Sequence, residues 1–146
     1  MHSGKSAFFQ DRKHSNHLLL IEMMMKSGLT KHIDDAKSLS KIYDLLIDYP
    51  TIGSFLAYQY TIDINYSELS DFSENEFVIP GPGAIDGLSK VFSSAGGLSP
   101  VDLIKLMCDR QSFEFERLSL EFKNLWGRDL QLIDCQNLFC EISKYS

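Results

Sequence analysis

Three groups of residues in this 146-residue chain have the types and spacing to do chemistry. Gln59 and Asp63 stand four apart, on one helical face, with Tyr60 beside them. A side-chain amide that both donates and accepts, next to an aromatic ring, is what a pocket for a nucleobase requires. The same residues also suit an ordinary helix end, with Asp63 and Asn65 capping and Gln59 bonding a nearby loop. In Pro80-Gly81-Pro82-Gly83, two prolines fix φ while two glycines free it. Gly81, Gly83 and Ala84 can then turn their N–H groups outward where the next helix begins, a geometry that accepts a phosphate. A plain turn between helices fits the run equally well, and Asp86, placed in the first turn, favours the helix dipole but repels an anion. Asp134, Asn137 and Glu141 recur at spacings of three and four. Such a stripe can be a general base with a positioned amide, or a capped helix start followed by a solvated face.

The elements that must position these groups are helices. Residues 1–15 read as a loose arm and 16–146 as a single helical domain. Asn16–Ser27 is apolar at nearly every position, which predicts a helix buried on most sides, capped by Asn16 and closed at Gly28 by a left-handed turn. Thr30–Ile33 reads as a connector, and Asp34–Asp48 as an amphipathic helix stopped by Pro50. Ile52–Ile64 forms the next helix, packed through Phe55, Leu56, Ala57 and Ile62. Tyr66–Phe72 is a short helix, and Ser73 with Glu76 matches a capping box. Ala84–Phe92 follows the Pro-Gly run. Ser99 caps a helix to about Leu118 with Val101, Ile104, Met107, Cys108 and Phe115 on its stripe. Leu120–Trp126 is a further short helix ended by Gly127. The last helix begins near Asp134 and buries Leu138, Phe139 and Ile142. The fold class expected is all-α, a compact multi-helix domain with a helix-hairpin-helix-like element.

Composition narrows the function classes. With 44% hydrophobic residues the chain can bury a core, and no apolar run approaches membrane-spanning length. Cys108, Cys135 and Cys140 are odd in number and lack CxxC spacing, which suits a reduced cytoplasmic setting rather than a disulfide scaffold. His2, His14, His17 and His32 have no completing ligands, so no metal and no cofactor is expected, and the histidines read as solvated or locally bonded. Gly4-Lys5-Ser6 matches only the end of a phosphate-loop motif, without the upstream glycine or strand. A net charge of −6 with dispersed cations opposes loose binding to duplex DNA.

Three separated stretches, GSFLAYQYTIDINYSE, VIPGPGA and LIDCQNLFCEISKY, resemble the helical domain of 5-hydroxymethyluracil DNA kinases and the related α-glutamyl/putrescinyl thymine pyrophosphorylases. More distantly, LAYQYTID, VIPGPGA and IDCQN are similar to helix-hairpin-helix DNA glycosylases. That resemblance implies a catalytic role for Asp134 with Asn137 and Glu141 orienting it, base-binding roles for Gln59, Tyr60 and Asp63, and phosphate-binding roles for Gly81, Gly83 and Ala84. Ile62 shifts the Asp63 match by one position, and Ile85 stands where lyase-type members carry a lysine. Any chemistry is therefore expected to be monofunctional, without a Schiff base. Asp102 lies nearer the usual hairpin-to-aspartate spacing and rivals Asp134. The implied function is handling of a modified thymine or uracil base, flipped or unpaired, in DNA of the phage hypermodification type. The alternative is a non-catalytic DNA-binding or partner-docking module beside a separate kinase or modification enzyme. No membrane partner is expected.

Overall fold

The computed structural model describes residues 5–146, and its regular elements are α-helices. Among the described residues the isolated β-bridge joins Leu125 to Arg128. The chain divides into two compact units, Met1–Ser73 and Glu74–Ser146. The arm expected over residues 1–15 falls partly outside the described residues, as do His2 and Gly4.

The first unit holds α1 (Lys5–Phe8), α2 (Lys13–Lys26), α3 (Leu29–Asp34), α4 (Leu39–Ile47) and α5 (Ser54–Asn65). Its core gathers Leu20, Leu29, Ile33, Ile42, Leu46 and Ala57. The connector expected at Thr30–Ile33 is instead part of α3. The next helix starts five residues later than expected, at Leu39, because Ser38 caps it by accepting from the Lys41 N–H at 3.3 Å. Gly28 adopts the left-handed conformation expected of it, with φ of 74°, and joins α2 directly to α3.

Burial of α2 on most sides does not occur. Asn16 and Leu20 are its buried residues, whereas Leu18, Ile21 and Met25 are 64%, 55% and 66% exposed. The run from Leu18 to Met25 is apolar at every position but Glu22 and carries no amphipathic period, so hydrophobicity does not choose which face turns inward. Asn16 is not the cap either. It lies inside the helix, where its side chain accepts from the Gln10 N–H at 3.3 Å and donates to the Gln10 carbonyl at 3.0 Å.

α5 is centred on Tyr58, which is fully buried together with Ala57 and Thr61, while Phe55 is exposed. The helix expected at Tyr66–Phe72 is absent. Asn65 holds this segment as a loop, donating to the Phe72 carbonyl at 2.8 Å and accepting from the Phe72 N–H at 2.9 Å and the Ser70 hydroxyl at 3.1 Å. Residues 73–76 likewise form a turn, so Ser73 and Glu76 do not open a helix.

The second unit is built on α6 (Pro82–Val91), α7 (Pro100–Arg117) and α8 (Leu132–Tyr145). Residues 66–81 run between α5 and α6 without regular structure, so the Pro-Gly run opens a helix rather than joining two across a tight hairpin. Gly81 is the N-cap and Pro82 the first helical residue, where its missing N–H costs nothing. α6 and α8 approach through a seam of small residues. A Cβ on Gly87 would lie 1.9 Å from the Phe139 carbonyl oxygen, and one on Gly83 would lie 2.7 Å from Cys140 Sγ. Ala84 between them is fully buried.

Asp86 is beyond the first turn. Its carboxylate pairs with Lys90 at 2.9 Å and accepts from the Ser143 hydroxyl of α8 at 2.6 Å. Leu138, expected in the core, is 51% exposed, and Cys135, Gln136 and Phe139 occupy the buried face of α8 instead. α7 starts with a complete capping box: Ser99 accepts from the Asp102 N–H at 3.2 Å and Asp102 accepts from the Ser99 N–H at 3.1 Å. The Leu120–Trp126 helix is absent. Phe122 stacks on Phe115 with ring centroids 4.7 Å apart, and residues 125–128 close a tight hairpin.

Two outcomes test this account. Gly87→Ala forces a methyl group against a backbone carbonyl that no rotamer change relieves, so it should lower stability by about 2–3 kcal/mol, whereas Gly53→Ala, with open space around the site, should leave the melting temperature nearly unchanged. The hydrogen bonds from Ser99 hold the Asp102 carboxyl below its ordinary value of 3.8. Its capping contribution is therefore present above that value and lost as pH falls through the depressed one. Acid titrations of helicity should show wild type losing stability along that limb relative to Asp102→Asn.

Candidate functional site

In the first unit, α2 and α5 line an apolar cavity of about 610 Å³, with Leu20, Ile21, Met24 and Ile64 among its walls. Its polar lining is sparse: His17, Tyr60, Asp63 and Ser67. This volume lies within the range of small-ligand pockets, which combine apolar walls with a few orienting polar groups. Tyr60 and Asp63 thus reach one cavity, as residues three apart on a helix can. Gln59 stands next to them on α5, and its Nε2 is closed to solvent without a hydrogen-bond partner. Gln59 is not itself among the residues that line the cavity.

His17 corrects the expectation of a solvated or locally bonded histidine. It lines the cavity, and its Nε2 is also closed to solvent and unpartnered. His17, Leu20, Ile21 and Met24 share one face of α2, but the apolar run from Leu18 to Met25 marks the other faces equally, so the sequence carried no signal that this one lines a cavity. Among the described residues no three His, Cys, Asp or Glu side chains gather as a cation would require.

In the second unit, the N-terminus of α8 is fixed from three directions. Gln111 on α7 clamps the backbone of Leu130, its Nε2 donating to the carbonyl at 2.9 Å and its Oε1 accepting from the N–H at 2.7 Å. Asn75 Oδ1 accepts from the Leu132 N–H at 3.2 Å. Arg128 grips Asp134 with its two terminal guanidinium nitrogens, at 2.5 and 3.4 Å. Asp134 Oδ2 also accepts from the Gln131 N–H at 2.8 Å. Asp134 thus lies within the first turn of α8 rather than before it, as a capping carboxylate neutralised by an arginine.

The other expected residues of this stripe are more open. Asn137 is exposed, and its Oδ1 accepts from Gln136 Nε2 at 2.8 Å. Glu141 is exposed and paired with Lys144 at 2.5 Å. Gln136 is fully buried, with its own Oε1 unpartnered. Gly81, the N-cap, and Ala84 are buried, Gly83 faces Cys140 of α8, and no side chain caps the α6 N-terminus.

Cys108 and Cys135 are poor nucleophiles. Burial, then the neighbouring Cys108, pushes the Cys135 thiol up to about 12. Cys108 is raised by burial as well and donates to the Leu130 carbonyl at 3.2 Å. No helix among the described residues is long and apolar enough to cross a membrane.

Comparison with known proteins places this geometry in a family context. Residues 2–146 match the family described as the 5-hmdU DNA kinase helical domain. A 5-hmdU DNA kinase of Bacillus phage SP10 is 28% identical over 115 residues, covering 74% of this chain. The matched segment amounts to 18% of that relative's length. No solved structure matches the chain.

Replacing Gln111 by leucine keeps the bulk of the side chain but removes both bonds to Leu130. The variant should lose about 1–3 kcal/mol, the cost of stranding buried backbone groups, and the Leu130 amide should exchange with solvent measurably faster than in wild type.

Proposed function

The chain belongs to the family of 5-hmdU DNA kinase helical domains, and on that premise we propose that it recognises a modified thymine or uracil base in DNA. The observation that carries the reading is the first-unit cavity, to which Tyr60 and Asp63 contribute, with Gln59 beside them. Apolar walls suit the faces of a pyrimidine ring. The Asp63 carboxylate suits a donor, such as a ring N–H or a hydroxymethyl group, and Tyr60 suits stacking or a further hydrogen bond. The base must leave a duplex or start unpaired to enter such a cavity. In this role the domain supplies substrate recognition to a kinase activity of the kind named for its phage relative.

A catalytic, glycosylase-like reading rests on Asp134, with Asn137 and Glu141 on the same helix. Its support is the fixed placement of the Asp134 carboxylate by Arg128 and the Gln131 N–H. To stabilise a developing sugar cation or to activate a nucleophile, the carboxylate would have to part from Arg128. The N-terminus of α6 at Gly81, Gly83 and Ala84, which no side chain caps, would then serve a backbone phosphate through its N–H groups.

Binding and base release separate the two. Labelled single strands with and without 5-hydroxymethyluracil should bind with different affinities, and Tyr60→Ala with Asp63→Ala should reduce that difference by about tenfold, on the scale of stacking lost from a base site. Equal affinity for both strands would sink the recognition reading. For the catalytic reading, Asp134→Asn should abolish any release or transfer at the modified base while Asp102→Asn retains it. Unchanged turnover in Asp134→Asn would remove Asp134 from that role.

A further inference from the structure

The single tryptophan of the chain is its most exposed large apolar side chain among the described residues, at 98% of full accessibility. It does not lie on a loose tail. Trp126 occupies the tip of a two-residue hairpin closed by two backbone bonds, Leu125 N–H to the Arg128 carbonyl at 2.8 Å and Arg128 N–H to the Leu125 carbonyl at 3.1 Å. Both tip residues have positive φ, 49° for Trp126 and 91° for Gly127, as in a type I′ turn. Gly127 suits that backbone, whereas a bulky aromatic residue is strained in it.

The hairpin is braced on both sides. Asn124 Oδ1 accepts from the Gly127 N–H at 2.9 Å, and Arg128 ties the far limb to Asp134 on α8. The fold therefore holds a fully solvated indole on a strained backbone that hydrogen bonds tie in place. Neither packing nor turn propensity accounts for a tryptophan there.

We propose that Trp126 is a stacking platform for an unpaired nucleobase of DNA. This rests on the DNA-recognition reading above and adds to it a contact in the second unit, independent of the first-unit cavity. A ring exposed on both faces suits the face of a base, and base–aromatic stacking is tolerant of sequence. The surroundings carry no net positive charge to hold a phosphate strand. Arg110 and Arg117 pair with Glu114 and Arg128 pairs with Asp134, and Lys123, three residues before the indole, is matched by Asp129 three residues after it. With so few cations, the phosphate contribution is small and the grip falls mainly on the stacked base.

The chain's one tryptophan makes the test direct. Intrinsic fluorescence of the full chain is titrated with a single-stranded thymidine oligonucleotide, and binding is followed in parallel by anisotropy of a label on the DNA. The expected result is saturable quenching of Trp126 with only a shallow salt dependence, and weaker quenching by the same sequence fully paired. Trp126→Ala should bind about tenfold more weakly by anisotropy, while Trp126→Phe stays within a few-fold of wild type. Because the indole packs against so little, both variants should keep the wild-type melting temperature.

The inference fails if the labelled DNA binds without quenching, or binds Trp126→Ala as tightly as wild type; recognition of DNA would then stand without it. Absence of DNA binding even at low salt overturns both. Self-association that Trp126→Ala abolishes, with no quenching by DNA, would assign the indole to a protein contact and overturn the stacking role.

Discussion

The second unit depends on one close approach, that of the α6 backbone at Gly87 to the Phe139 carbonyl of α8. No side chain larger than hydrogen fits there, so the two helices meet at backbone distance along Gly83, Ala84 and Gly87. Everything placed on α8 takes its position from this contact. The buried residues Cys135, Gln136 and Phe139 face inward, which directs Asn137 and Leu138 to solvent and leaves Asp134 at the rim. Polar ties at one end of the seam then join the helices, the Ser143 hydroxyl donating to Asp86 and Lys90 donating to the Ser143 carbonyl. The Gln111 clamp and the Arg128–Asp134 pair hold the entry to α8 from the opposite end.

The all-helical class was legible because apolar residues recur at helical spacing in α4, α7 and the later part of α5, and because Ser99, Pro50 and Gly28 punctuate the chain in the expected ways. Segments without period misled. α2 carries an almost unbroken apolar run from Leu18 to Met25, so its pattern does not distinguish the face bearing His17 and Leu20 from the face bearing Leu18 and Met25. The expected helix at Leu120–Trp126 has helix-compatible residues, but it is short and loses to a stacked Phe115–Phe122 pair and a hairpin with positive φ at Asn124, Trp126 and Gly127. Tertiary contacts decided both cases, and local propensity does not encode them.

The candidate sites were legible to different depths. Tyr60 and Asp63 fall on one helical face by simple spacing, and that face lines a cavity. Asp134 was recognisable as a carboxylate near a helix start. Its engagement by Arg128, six residues earlier across an irregular segment, follows from no periodic rule. Gly83 shows the converse. A glycine beside proline suggests a backbone freed for turning, yet here its small size serves close packing against Cys140.

The separation in sequence of the α6–α8 partners has a kinetic consequence. Asp86 and Ser143 are 57 residues apart, so their contact closes a long loop and brings little reward until most of the unit has been synthesised. The first unit instead joins neighbouring helices through short connectors such as Gly28 and Ser27. It can gather its core while the ribosome is still making α7. Assembly of the second unit must wait for the last helix, and until then α6 carries an uncovered groove of small residues cut to the shape of a partner not yet made.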